Sequence, residues 1–172
     1  MSAATADRLG GRSIVFGDNV NTDVIIPGRY LVSIDPAELG THAFEPLGPA
    51  VQEKLKASPV VVAGRNFGCG SAREQAASGL VGAGIVAVIA ESFARTFFRN
   101  AINTGLLAIT QPEAAQAAED GSEVFVDMTA GTVSAGGQRF SFPPYPDSLL
   151  AILDAGGLIP YVARQVRASG AR

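Results

Sequence analysis

Short apolar runs separated by glycine dominate the middle of the chain. Val60 to Ala63, Ile85 to Ala90 and Leu106 to Thr110 are of strand length and almost continuously apolar, the pattern of strands buried on both faces. Between and after them, Ala72 to Val81, Ser92 to Thr104 and Pro112 to Asp120 are predicted helices. Gly105 closes the second as a C′ residue; Pro112 opens the third and Gly121 ends it. Upstream, Arg12 to Phe16 reads as a strand stopped by the turn residues Gly17-Asp18-Asn19. Val24 to Ile26 reads as a second short strand broken by Pro27-Gly28, and Pro49 to Lys56 as a short helix. Pro36, Gly40, Pro46 and Gly48 punctuate the stretch after Tyr30 too often for a long helix. Beyond Gly121 the period changes to alternation. Glu123 to Met128, Thr132 to Ser134 and Gln138 to Phe142 are predicted strands joined by Ala-Gly and Gly-Gly turns. Ser148 to Ala155 and Leu158 to Arg167 read as closing helices, and residues 1–10 as a tail. The pattern predicts an α/β fold, a mixed sheet with helices packed on it, in one domain over residues 11–172.

Composition narrows the functional classes. A chain of 172 residues buries about 70% of its unfolded surface as one domain. A net charge of −3 gives no footing for non-specific nucleic-acid binding or for an anionic membrane surface, so neither partner is expected. Cys69 is the sole cysteine and His42 the sole histidine, which excludes an internal disulfide, a cysteine-held metal cluster and a multi-histidine metal site. The first dozen residues lack the apolar core of a secretory signal, and Leu80 to Ala90 is too short and glycine-rich to span a bilayer. A cytoplasmic location is expected.

The chemistry concentrates in Gly64-Arg-Asn-Phe-Gly-Cys-Gly-Ser-Ala-Arg-Glu-Gln75, directly after the apolar run Val60 to Val62. Ser71 falls where the next helix is expected to begin and Arg73 in its first turn. A helix start presents unpaired N–H groups and positive potential, so the loop is a candidate anion site. It is not a Walker loop, because no Lys-Ser/Thr pair follows the last glycine, and Arg73 replaces the third glycine of a dinucleotide fingerprint. A serine-hydrolase elbow needs a glycine on each side of the serine and a partner histidine. A purely structural strand-to-helix turn with a capping Ser71 stands as the alternative. Elsewhere, Thr22 and Asp23 precede the Val24 run, Arg95 and Arg99 share a helix face with phenylalanines, and His42 sits in a Pro/Gly-rich loop. Each has an ordinary reading as turn, packing or loop chemistry.

Taken in order, three segments change the weight of these pieces. Gly17-Asp-Asn-Val-Asn-Thr-Asp-Val-Ile-Ile-Pro-Gly-Arg-Tyr-Leu31, Gly64 to Ala76 with its Asn-Phe-Gly-Cys-Gly-Ser core, and Gly84 to Leu106 together span roughly residues 14–110. In this order they resemble the small-subunit family of the aconitase superfamily, and most closely the 3-isopropylmalate dehydratase type. The resemblance implies a swivelling β/β/α domain that docks as a lid on a separate large subunit, as a heterodimer or heterotetramer. That large subunit would hold a 4Fe–4S cluster, with no cofactor bound by this chain, and the substrate would be a small dicarboxylate. The implied activity is that of a hydro-lyase interconverting 2- and 3-isopropylmalate in leucine biosynthesis by dehydration and rehydration. By motif match Ser71 is the base that removes the α-proton and Arg73 binds a substrate carboxylate, while Thr22 and Asp23 support the site.

This chain departs from the family pattern at one position and makes a telling choice at another. Ala72 stands where the family usually has a second serine, which removes one hydrogen bond of order 1 kcal/mol if that hydroxyl meets the substrate. In Tyr30-Leu31-Val32-Ser33, Val32 occupies the position where members acting on tricarboxylates carry an arginine. An apolar residue does not compensate carboxylate desolvation but packs an aliphatic branch, so isopropylmalate is expected over citrate or homocitrate. Arg29, one residue before this loop, qualifies that expectation if its side chain reaches the substrate. Another branched malate, such as dimethylmalate or citramalate, is the near alternative, and a non-catalytic partner-binding module the distant one.

Overall fold

The computed structural model describes residues 8–170. One seven-stranded sheet runs in the order β4-β3-β2-β1-β5-β6-β7. Its strands are β1 (Leu9–Val15), β2 (Val60–Ala63), β3 (Ala87–Ala90), β4 (Leu107–Thr110), β5 (Glu123–Asp127), β6 (Thr132–Ala135) and β7 (Gln138–Ser141). β1 to β4 pair in parallel, and β5 joins the other edge of β1 antiparallel before the β6–β7 meander. The mixed sheet with packed helices is the architecture the sequence pattern predicts.

The apolar runs are continuous because both faces of the parallel half are covered. Val61, Ala63, Val88 and Ala90 project into one core with α2 (Pro36–Gly40), α4 (Glu74–Gly82) and α5 (Arg95–Asn103). Their neighbours Val60, Val62, Ala87 and Ile89 project to the opposite face, against α6 (Pro112–Ala117) and the antiparallel strands. A strand period of two divides one apolar run between two cores. The remaining helices are α1 (Thr22–Ile25), α3 (Pro49–Lys56), α7 (Asp147–Ala155) and α8 (Leu158–Ala168).

Four expectations are corrected. Val24 to Ile26 is not a strand: Thr22–Ile25 is a helical turn capped by Asn21, whose Oδ1 accepts the Asp23 N–H at 2.8 Å. The β-branched run is overridden because Ile25 and Ile26 are buried in the first core whatever their backbone. Of the expected tail, residues 1–7 lie outside the described residues, while Leu9 and Gly10 pair with Val126 and Phe125. The helix expected from Ser92 begins at Arg95, because Phe67 exchanges backbone bonds with Ser92 and Ala94, at 3.0 and 2.9 Å. The helix expected to reach Asp120 stops at Ala117, where Ala118 turns extended. A turn tied by Ser122 Oγ to both backbone groups of Glu119 follows.

Helices α2 and α4 cross backbone against backbone, and two glycines permit it. A Cβ on Gly82 would lie 1.6 Å from the Pro36 carbonyl oxygen, and one on Gly40 would lie 2.3 Å from the Gly82 carbonyl carbon. Gly82→Ala is expected to push α2 off α4 at a cost of about 1–3 kcal/mol, a Tm lowered by roughly 2–12 °C. Thermal unfolding of the isolated chain measures it; an unchanged Tm would mean the crossing is looser than described. The consequence reaches the site, since α2 follows directly on the Tyr30–Ser33 loop.

Candidate active site

Strands β1, β2 and β3 are parallel and end at the same edge of the sheet, where open α/β sheets bind ligands. The loops leaving β1 and β2 run side by side beyond that edge. Asn19 N–H donates to the Arg65 carbonyl, Gly68 N–H to Val20, and Thr22 N–H to Cys69, each at 2.8 Å. These bonds prolong the β1–β2 pairing past the strands, so residues 17–22 and 64–71 form one paired unit.

Asp18 secures the base of this unit. Its carboxylate accepts the Arg65 N–H at 2.7 Å and the Arg65 side chain at 3.0 and 2.7 Å. These side-chain and backbone bonds from Arg65 hold the Asp18 carboxyl below its ordinary value. Because the folded value is depressed, the pair's contribution is complete above the ordinary carboxylate range and is lost as pH falls through the folded value.

Beneath the loop lies an aromatic floor. Phe67 meets Phe97 edge to face, with ring centroids 5.1 Å apart at 81°, and Phe93 stacks parallel to Phe97. Gly68 rests directly on it at φ +77°, where a Cβ would stand 2.2 Å from the Phe97 ring. Glycine is required there both for the backbone angle and for the contact.

Ser71 and Arg73 are placed differently from the sequence expectation. The helix begins at Glu74; Arg73 occupies the cap position with extended backbone and makes no side-chain cap bond, so Ser71 lies ahead of the helix and is not its cap. The physical reason is a competing partner. Thr22, buried, donates its hydroxyl to the Ser71 carbonyl at 3.0 Å and so holds residues 69–71 against α1. Ser71 and Ala72 are exposed at the mouth of the loop. The Arg73 guanidinium pairs with the Asp23 carboxylate across 50 residues of sequence. Ser71, Arg73, Thr22 and Asp23 are therefore brought together.

The Tyr30–Ser33 loop joins this group at its edge. A Cβ built on Gly28 would stand 3.4 Å from Arg73 Nη1, and Gln75 Nε2 donates to the Leu31 carbonyl at 3.4 Å. Leu31 packs on the core, whereas Val32 projects outward with 93% of its surface exposed. Two hydroxyls of the loop are already engaged: Tyr30 donates to Glu45 Oε2 at 2.7 Å, and Ser33 to Glu38 Oε2 at 2.6 Å. Arg95 and Arg99 are exposed on α5, and Cys69 is half-buried. Among the described residues no group of three or more His, Cys, Asp or Glu is placed to hold a metal ion.

Sequence reasoning missed Asn21 and the Tyr30–His42–Glu45 cluster. Asn21 had a readable signal, since Asn-Thr-Asp ahead of an apolar turn is N-cap chemistry. The cluster had little, because Tyr30 and Arg29 reach Glu45 across a loop whose path is set by packing, and only the three-residue spacing of His42 and Glu45 is local.

The fold is of the aconitase C-terminal type: residues 48–114, which include the glycine loop, match the family model described as the aconitase C-terminal domain. The 3-isopropylmalate dehydratase small subunit of Pyrobaculum neutrophilum is 50% identical over 157 residues, covering 90% of this chain and 96% of its own length. The homoaconitase small subunit of Methanothermobacter thermautotrophicus is 46% identical over 160 residues, 92% of each chain. The crystal structure of 3-isopropylmalate dehydratase (LeuD) from Methanocaldococcus jannaschii matches with a TM-score of 0.86 at 40% identity, over 94% of this chain and 97% of that one. The chain belongs to the 3-isopropylmalate dehydratase small-subunit family.

Proposed function

We propose that this chain is the small subunit of a hydro-lyase that interconverts 2- and 3-isopropylmalate together with a larger iron–sulfur subunit. The observation that carries the reading is the meeting of Ser71, Arg73, Thr22 and Asp23 at one sheet edge, beside a loop that presents Val32. Ser71 Oγ takes the proton from the carbon next to a substrate carboxylate, and Arg73 binds that carboxylate. A serine is a poor base unless its anion is stabilised, and an adjacent guanidinium in a water-excluded site supplies that stabilisation. Thr22 positions Ser71 through its carbonyl, and Asp23 holds the Arg73 side chain in place.

Departure of the substrate hydroxyl calls for a Lewis acid, which the resemblance assigns to the large subunit's 4Fe–4S cluster. The donor set of this chain, with Cys69 its sole cysteine, does not fit such a cluster. Ser71 is open to water in the isolated chain. Removal of that water falls to the large subunit, so the chain alone is expected to turn over no substrate.

Val32 supports the aliphatic substrate. It carries no charge to pair with a third carboxylate, and its exposure leaves it free to pack against a branch once the site closes. The test is reconstitution with a cluster-bearing large subunit and measurement of isopropylmalate isomerisation through absorbance of the alkene intermediate. Val32→Arg is expected to lower kcat/KM for isopropylmalate about 10²-fold. An exposed side chain changes stability by only about ±0.5 kcal/mol, so its Tm should not move. Undiminished activity in Val32→Arg would mean that another segment reads the branch.

A further inference from the structure

The guanidinium closest in sequence to the Val32 loop is Arg29, and a cation beside an aliphatic subsite would draw in the wrong substrate. Gly28 packs beside Arg73, and the next Cα along the chain, that of Arg29, is only about 3.8 Å further on. Yet the Arg29 side chain does not join Arg73. Its guanidinium pairs with Glu45 Oε1 and lies over the Tyr30 ring, 4.8 Å from the centroid.

Glu45 is the centre of this arrangement. Besides Arg29 it accepts the Tyr30 hydroxyl at 2.7 Å, and His42 Nδ1 lies 2.8 Å from the same carboxylate oxygen. Tyr30 and His42 stack face to face, with centroids 3.6 Å apart and planes within 10°. Bonds from Tyr30 first and His42 second hold the Glu45 carboxyl below its ordinary value, so it is ionised at neutral pH. The backbone that carries the carboxylate is also anchored. Phe44, in left-handed backbone at φ +55°, donates its N–H to the Ile25 carbonyl at 2.9 Å and stacks on Phe16 at 4.3 Å. Glu45 is thereby referenced to the end of α1, the same turn that carries Thr22 and Asp23.

We infer that Glu45 is a specificity-positioning residue: by holding Arg29 and Tyr30 together it keeps the Arg29 guanidinium out of the substrate site, so that Val32 alone reads the substrate branch. This rests on the proposed function, in which that loop faces an aliphatic branch. Removing the carboxylate frees a cation one residue from the Gly28–Arg73 contact. The expected result is not simple loss of activity but a change of preference toward a substrate with a third carboxylate.

The experiment compares wild type, Glu45→Gln, Arg29→Leu and the double variant, each assembled with the large subunit. Isopropylmalate and homocitrate are the probes. Glu45→Gln is expected to raise the homocitrate-to-isopropylmalate ratio of kcat/KM by about two- to fivefold, and Arg29→Leu in the same chain to restore it. An unchanged ratio in Glu45→Gln overturns the inference. So does a shifted ratio that persists in the double variant, since loop disorder rather than the freed arginine would then be responsible. Hydrogen exchange over residues 28–33 of the isolated subunit gives a second reading that needs no substrate. Exchange there is expected to stay as in the wild type, because the backbone bonds of the loop do not involve the Glu45 side chain, and quickened exchange, the mark of loop disorder, overturns the inference. Failure of the assembled wild type to act on isopropylmalate would instead strike the proposed function, and the exchange result would still show whether loop order depends on Glu45.

Discussion

Ser71→Ala in the assembled enzyme is expected to lower kcat for isopropylmalate by roughly 10²–10⁴-fold, the range for loss of a positioned general base. KM should change little, because the substrate carboxylate is assigned to Arg73. The variant separates chemistry from folding cleanly. Thr22 grips the carbonyl of Ser71 and not its hydroxyl, so removing an exposed Oγ leaves that anchor intact. Single-turnover formation of the alkene intermediate, measured alongside the Tm, is the decisive assay. Retention of most wild-type turnover with an unchanged Tm would remove Ser71 from the chemistry and return the loop to a structural role.

Arg73→Ala carries the second-largest expected effect. Loss of the carboxylate clamp should reduce kcat/KM by roughly 10²–10³-fold, partly as a rise in KM. Arg73→Lys should recover only part of this, since an ammonium cannot reproduce the two-pronged guanidinium geometry. The fold should tolerate both changes. A partly exposed ion pair such as Arg73–Asp23 is worth about 0–1 kcal/mol, so a small loss of Tm accompanies a large loss of activity. Equal, modest losses for Ala and Lys would count against a carboxylate contact, because they would show that the guanidinium's geometry does not matter.

Most of the sheet was legible from local rules. Val60–Ala63 and Pro49–Lys56 have the predicted bounds, and the change from continuous apolar runs to alternation marks where the sheet turns from parallel to antiparallel. Those signals are local because strand period, proline and glycine act on neighbouring backbone. The errors fell where a distant partner outcompetes local preference. Val24-Ile25-Ile26 has strand propensity, yet an asparagine cap and a bond to Cys69 wind it into a helical turn. The α4 helix starts three residues after Ser71 because Thr22, 49 residues earlier, claims the Ser71 carbonyl.

By itself, then, the chain's sequence determined most of the strands, the glycine loop that follows β2 and the residue types proposed for proton removal and carboxylate binding. All of these depend on neighbours within one turn or one strand. Only the tertiary structure decided which of those residues meet. Thr22 reaches Ser71 and Asp23 reaches Arg73 because parallel β1 and β2 deliver two remote loops to one edge, while Glu45 draws Arg29 aside within the β1–β2 connection, where Phe44 is tied to Ile25. Side-chain bonds of this kind are decided by where packing places the backbone, and the loop composition around Arg29 and Glu45 carries no trace of them.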